Sequence, residues 1–229
     1  MEKERSLQAE GARGVWLGAL VPLVLASGSP RRAEILRAVG WPFEASPADV
    51  DESRGEGEEA VAYVRRLARE KAEAVARTRL FGLVLGADTV VVLDGEVLGK
   101  PRDEAEARRM LRALGGRRHE VLTGVALVRA ESGRCAVGHE QTRVRFGELS
   151  EGEIEGYVRT GEPADKAGAY AIQGRAALFI EGIEGDFWNV VGLPVRLVHR
   201  LARESQSTLG ADSAPCGASA VSCLTNPLD

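Results

Sequence analysis

The stretch from Leu83 to Leu98 limits what this chain can become. Leu83-Val84-Leu85 and Val90-Val91-Val92-Leu93 are apolar and rich in β-branched residues, the composition of buried strand. Asp94-Gly95 then supplies the two residues of a tight hairpin turn, and Val97-Leu98 returns as the partner strand. A two-residue hairpin joins antiparallel neighbours, whereas the segments around it alternate helix and strand as parallel sheets do. An α/β domain on a mixed sheet fits both better than a simple doubly wound domain does.

The remaining elements follow from local signals. Val21 to Ala26 reads as the first strand. Ser29 is placed as an N-cap, and Pro30 takes the first helical position, where its missing N–H costs nothing. Ile35, Leu36 and Val39 continue that helix. Glu58 to Arg77 is the clearest helix, with Val64, Leu67 and Val75 on one face. Residues 102–114 return to helix and Gly115-Gly116 close it. His119 to Arg129 and Cys135 to Phe146 are two longer strands joined near Ser132-Gly133. Ser150 caps a helix reaching Arg159, and Glu153 completes a capping box. One domain is expected over 21–204. Residues 1–20 are an extension of charge and glycine, and 205–229 a Ser/Ala/Gly/Thr-rich tail expected to be disordered.

The 229 residues carry a net charge of −4, which argues against nonspecific binding to nucleic acid or acidic membranes but permits a small anion held by a local basic cluster. Cys135, Cys216 and Cys223 are scattered without metal-ligand spacing, in keeping with a reducing, cytoplasmic compartment. No apolar stretch is long enough to span a bilayer. Val15 to Ala26 after Lys3, Arg5 and Arg13 has the outline of a secretory leader, but Pro22 and the acidic Glu2, Glu4 and Glu10 count against one.

Several charges stand where an ordinary fold would not put them. Arg31 and Arg32 occupy the first turn of a helix, whose N-terminus already carries partial positive charge, so each costs about 0.3–1 kcal/mol. An anion docked on that turn would offset the cost, since free N–H groups and guanidinium forks together make a phosphate site. Lys71 falls on the apolar stripe of the long helix, four residues after Leu67. Asp88 lies inside an apolar run and must be paired, metal-bound or protonated, with a structural bond to a nearby turn as the plain alternative. Gly86 beside it suggests close approach of another group to the backbone.

Other candidates are weaker on their own. Lys100 follows the hairpin; strict register puts it opposite Thr89, close to Asp88 along the hairpin but on the opposite face, and a bulge near Gly99 or Pro101 could bring the two together. The acidic run Asp49-Val50-Asp51-Glu52 offers a magnesium ligand or a solvated loop. Residues 161–174 are dense in turn formers and charges, and Gln173 is read as an amide at a strand end, suited to a base edge. Asn189 is read as structural. His119, His139 and His199 lack ligand spacing, no Walker motif occurs, and Ser27-Gly28-Ser29 does not make a nucleophile elbow.

In order, LASGSPRRAEIL, VDE, LAREKA, GADTVV, GKP, LTG, GEPADKAGAYAIQG and NVVGLP closely resemble the Maf family of septum formation inhibitor-like nucleoside triphosphate pyrophosphatases, over about Val21 to Leu201. The GEP…AYAIQG stretch resembles the branch that acts on dTTP and UTP. The resemblance implies an elongated mixed β-sheet flanked by helices, with two lobes around a nucleotide-binding cleft (Maf/ITPase-like), in a homodimer. It implies that Ser27, Arg31 and Arg32 bind phosphate. Glu52, Lys71, Asp88 and Lys100 would form the catalytic cluster, and Gln173 would read the base. A divalent cation, Mg²⁺ or Mn²⁺, would sit near Glu52 or Asp88. Asp186, before NVVGLP, lies where the family varies and could touch metal or phosphate. The rival readings are an ITP/XTP-type pyrophosphatase and a nucleotide-binding regulator of septum formation.

Overall fold

The computed structural model describes residues 23–207. The expected extension over 1–20, the leader outline before Leu23, and the tail from 208 onward with Cys216 and Cys223 lie outside the described residues. The last helix runs to Ser207, past the boundary expected at Ser205.

Strands β1 (Leu23–Leu25), β2 (Phe43–Ala45), β3 (Leu83–Leu93), β4 (Glu96–Leu98), β5 (Arg118–Arg129), β6 (Cys135–Phe146) and β7 (Ile180–Glu184) form one seven-stranded sheet. Its order is β2-β1-β3-β5-β6-β7, with β4 hydrogen-bonded to β3. β1 is parallel to both β2 and β3; every other pairing is antiparallel. The mixed sheet follows from the hairpin, whose register pairs Leu93 with Glu96 across Asp94-Gly95. Asp94 and Gly95 both have the positive φ that such a turn demands.

The helices are α1 (Pro30–Ala38), α2 (Ala60–Ala76), α3 (Glu104–Leu114), α4 (Glu151–Val158), α5 (Phe187–Val191) and α6 (Val195–Ser207). Crossovers β1-α1-β2 and β2-α2-β3 run in opposite senses, so right-handed connections put α1 and α2 on opposite faces. Alternate residues of β1 show it: Leu23 and Leu25 pack with Ile35 and Leu36 of α1, and Val24 packs with Ala68 and Ala72 of α2. The face that carries α1 and α6 is shared further along by α3 and α4, which bury Val91, Leu93, Val121 and Phe146. These are the two lobes, and Ile172 packs against both of their cores.

Two glycines let α2 lie unusually close to the sheet. A Cβ on Gly86 would overlap the Ala68 carbonyl oxygen, and one on Gly124 would overlap that of Val64. Gly86 therefore does mark a close approach, and the approaching group is the helix that carries Lys71. Ser29 holds the N-cap position of α1, but its side chain makes no capping bond. Ser150 and Glu153 do form the capping box expected of them.

Candidate functional site

One edge of β3 is occupied by β5 from Leu83 to Val92, and the other is shared. β1 pairs with Leu83 to Leu85, β4 pairs with Val91 to Leu93, and between them Gly86 to Val90 face no strand. The sheet thus has a notch, and Asp88 and Thr89 lie in it. The chain leaving β1 enters α1 beside this notch, and the chain leaving β4 reaches Lys100 on its opposite side. Crevices at the carboxyl ends of parallel strands are where open α/β sheets receive ligands.

A cavity of about 490 Å³ opens there, enough for a nucleotide-sized ligand. It brings together Ser27, Arg31, Arg32, Glu52, Lys71, Asp88, Lys100 and Gln173. Lys100 lines the cavity just beyond the β3–β4 ladder, which ends at Leu98 and carries no register shift. Gln173 is not at a strand end: it lies in a turn between short 3-10 segments at Ala167–Ala169 and Arg175–Phe179. Asp186 does not line the cavity; its carboxylate accepts from the Trp188 N–H at 2.7 Å and caps α5.

At the charged end, Lys71 is buried and its Nζ lies 2.6 Å from Glu52 Oε1 and 2.7 Å from Asp88 Oδ1. This answers the question Asp88 posed: the carboxylate is paired. Burial pushes the Glu52 carboxyl up, but its hydrogen bond and charge pairing with Lys71, with Lys100 and Arg32 further off, more than reverse that and leave it below the ordinary range. Tyr63, which the sequence did not single out, donates to the Glu52 carbonyl at 2.7 Å and fixes the acidic loop against α2.

Arg31 and Arg32 diverge. Arg31 is half-buried and reaches Asp165 at 3.3 Å across the cavity mouth. Arg32 turns inward and donates to Gly192 O at 2.9 Å, Ser27 Oγ at 3.0 Å and Thr89 Oγ1 at 3.2 Å. Burial lowers its pKa, opposed by the Asp88 charge. Ser27 Oγ also accepts from the Ser29 N–H at 3.2 Å. With both lone pairs engaged, the Ser27 hydroxyl can only donate, which suits an anion. Thr123 donates to the Asn189 carbonyl at 3.2 Å, so Thr89 donates to Thr123, at 2.9 Å. Asn189 is fully buried and gives its amide to Val121 O and Thr142 Oγ1, the structural role read for it. Thr89 and Thr123 escaped the sequence reading because a hydroxyl in a strand carries no local signal of a distant partner.

His119 has no place in the cavity chemistry. It is buried, burial lowers its pKa to about 4, and Nε2 shares a 2.8 Å hydrogen bond with the Tyr170 hydroxyl.

The donor set suits a cation that arrives with its own ligands. Among the described residues no group of three or more His, Cys, Asp or Glu could hold a metal. Lys71 takes one oxygen each of Glu52 and Asp88, and no hydrogen bond among the described residues engages Asp88 Oδ2 or Glu52 Oε2. Mg²⁺ is commonly bound by one or two carboxylates with substrate phosphates and water, and this pair fits that pattern. Among the described residues no helix is long and apolar enough to cross a membrane.

The family model described as Maf-like protein matches residues 22–205. The chain is 57% identical over 173 residues to the dTTP/UTP pyrophosphatase of Symbiobacterium thermophilum, covering 76% of this chain and 88% of that protein. It is 55% identical over 179 residues to the enzyme of the same name from Moorella thermoacetica, covering 78% and 92%. Against that of an Anaeromyxobacter species it is 54% identical over 194 residues, covering 83% and 93%.

Proposed function

This chain belongs to the Maf family, and from that premise we propose that it hydrolyses dTTP and UTP to the monophosphate and pyrophosphate. The observation that carries the reading is the Glu52–Lys71–Asp88 cluster set in the notch of the sheet, with Gln173 lining the same cavity. A triphosphate laid along the cavity places its phosphates against the cations and its base against the amide.

Water attacks the α-phosphorus: the new bond is from the water oxygen to Pα, and the bond from Pα to the bridging oxygen breaks, releasing pyrophosphate. Such chemistry needs positioning and charge neutralisation more than a covalent nucleophile. Lys71 holds Asp88 Oδ1, so Oδ2 is the oxygen left to orient the water and take its proton. Arg31, Lys100 and the N–H groups of Arg32 not committed to protein offset the charge that builds on the phosphates. Lys71, already bridging two carboxylates, tunes them more than it binds phosphate. A Mg²⁺ or Mn²⁺ ion held by Glu52 and Asp88 would neutralise phosphate charge when bound. Gln173 offers a donor and an acceptor, matching the O4 and N3–H edge of uracil and thymine. The same reading takes the enzyme as cytoplasmic, where its substrates are made, and as a homodimer on family grounds alone. Its task is clearance of unwanted nucleotides.

The test is incubation of the protein with dTTP, UTP, CTP, ITP, 7-methyl-GTP and ATP, each with Mg²⁺ or Mn²⁺, and separation of products by anion exchange. Monophosphate and pyrophosphate from dTTP and UTP are expected. Diphosphate and orthophosphate would put the attack at the γ-phosphorus, and preference for ITP would assign the chain to the purine-clearing class.

A further inference from the structure

The amide of Gln173 takes no part in any hydrogen bond among the described residues, and the residue is exposed. Its aim therefore depends on the backbone beneath it. That backbone is a tight turn closed by the Gly174 N–H on the Ala171 carbonyl at 3.0 Å, with Ile172 and Gln173 at its centre. Both flanks of the turn are tied to two residues outside it. The Ala171 N–H donates to the Tyr157 hydroxyl at 3.2 Å, and the Arg175 N–H donates to Glu162 Oε2 at 3.1 Å. Tyr157 closes the loop by donating its own proton to Glu162 Oε1 at 2.8 Å.

The pieces are held in place from below. Tyr157 is buried in α4 with its ring edge-on to Phe179, centroids 5.3 Å apart. Glu162 follows in the 3-10 segment Glu162–Asp165 and lies so close under the turn that a Cβ on Gly174 would overlap its carboxylate. That contact explains a glycine directly after the glutamine without any need for positive φ. Burial, and then the bond to Glu162, raise the Tyr157 pKa, so the hydroxyl stays a donor across the working pH range.

We propose that Tyr157 and Glu162 are positioning residues for base recognition, a brace that fixes the Ala171–Arg175 turn and so aims the Gln173 amide. The proposal rests on the pyrimidine nucleotide reading above. It adds that selectivity for the base is set by two residues that need not touch the nucleotide. The brace is local, so disturbing it acts on the binding of the base and leaves the Glu52–Lys71–Asp88 chemistry alone.

The test compares Tyr157→Phe, Glu162→Gln and Gly174→Ala with the wild type in two measurements. Tyr157→Phe keeps the ring on Phe179 and removes the hydroxyl; Gly174→Ala displaces the carboxylate by contact. Hydrogen exchange resolved to single amides, without nucleotide, is expected to quicken about tenfold at Ala171 or Arg175, the loss of one such bond. Steady-state rates of pyrophosphate release are expected to show KM for dTTP raised about tenfold, kcat within about twofold, and preference for dTTP over CTP reduced about tenfold. A merely structural pair would lower the melting temperature without that split. Unchanged exchange at both amides overturns the brace. Faster exchange with unchanged KM and selectivity overturns its role in base recognition. Should the wild type release pyrophosphate from no pyrimidine nucleotide, the functional reading falls, and exchange decides the brace alone.

Discussion

At the end of the cleft proposed to hold the phosphates, Lys71, Glu52, Asp88 and Arg32 hold one another or neutral neighbours through contacts of 2.6–3.2 Å, each made by at least one ionised group. At the end proposed to read the base, the Ala171–Arg175 turn is held by a phenol, two backbone amides and one carboxylate. The first end is a set of charges fixed in position before any ligand arrives, which is how a site stabilises charge without reorganising at the moment of reaction. The second is a shaped piece of backbone that presents one neutral amide. A fault at the first should slow the chemistry whatever the base; a fault at the second should change which nucleotide is held and leave its chemistry intact.

The sharpest test of that division is Asp88→Asn. The amide keeps the shape, and Lys71 keeps Glu52 as a partner. Turnover is expected to fall by about a hundredfold or more, the scale of a lost general base. Titration of the variant with dTTP and CTP should show affinities and their ratio near those of the wild type. A folded variant with near-normal turnover would remove Asp88 from the mechanism. A changed dTTP-to-CTP ratio would show that the two ends are not separable.

The same contrast governs what could be read from sequence. The charged end was legible where Arg31, Arg32, Lys71 and Asp88 each break a local rule, whereas Glu52 and Lys100 break none and were singled out by the family resemblance. Arginines sit in a helix N-terminal turn, a lysine on an apolar helix stripe, and an aspartate in an apolar strand. Breaches of this kind need a partner, and the partners proved to be each other and their neighbours. The sheet order was legible where a single turn enforced it, at Asp94-Gly95. At the other end, Gln173 does line the cavity, but its support was not read from sequence and its strand-end setting was misjudged. The 3-10 segments have no periodicity, and the bonds that the Ala171 and Arg175 N–H groups donate to Tyr157 and Glu162 leave no trace in residue type. The inward turn of Arg32 was equally hidden, since its partners Thr89 and Gly192 lie 57 and 160 residues away in sequence.

Gly86→Ala probes how the phosphate end is held rather than what it does. The added methyl meets the backbone of α2, which cannot swing aside as a side chain would. Overpacking of this kind costs about 1–3 kcal/mol, which for a domain of this size lowers the melting temperature by about 2–12 °C. Because α2 carries Lys71 against Asp88, kcat is expected to fall about tenfold while preference for dTTP over CTP is kept. The comparison breaks if selectivity moves with kcat, since α2 makes no part of the base turn.

Asp165 ties the two ends directly through a side chain, and its effect should be the smallest. It sits on the loop that leads to the base turn, yet its carboxylate contacts Arg31 at 3.3 Å. The pair is open to water, with 64% of the Asp165 side chain exposed, and surface pairs are worth about 0–1 kcal/mol. The carboxylate nevertheless occupies a guanidinium that a phosphate would use and adds negative charge where an anion must enter. Asp165→Asn is therefore expected to lower KM for dTTP by about two- to fivefold at low salt, with kcat unchanged. The difference should shrink as salt is raised from about 0.01 M to about 0.15 M, because the exposed charge is screened over a Debye length that falls from about 30 Å to about 8 Å. A rise in KM instead would mean that Asp165 serves the bound nucleotide or its cation. The two ends would then be joined by shared ligation, and the division drawn between them would fail at this residue.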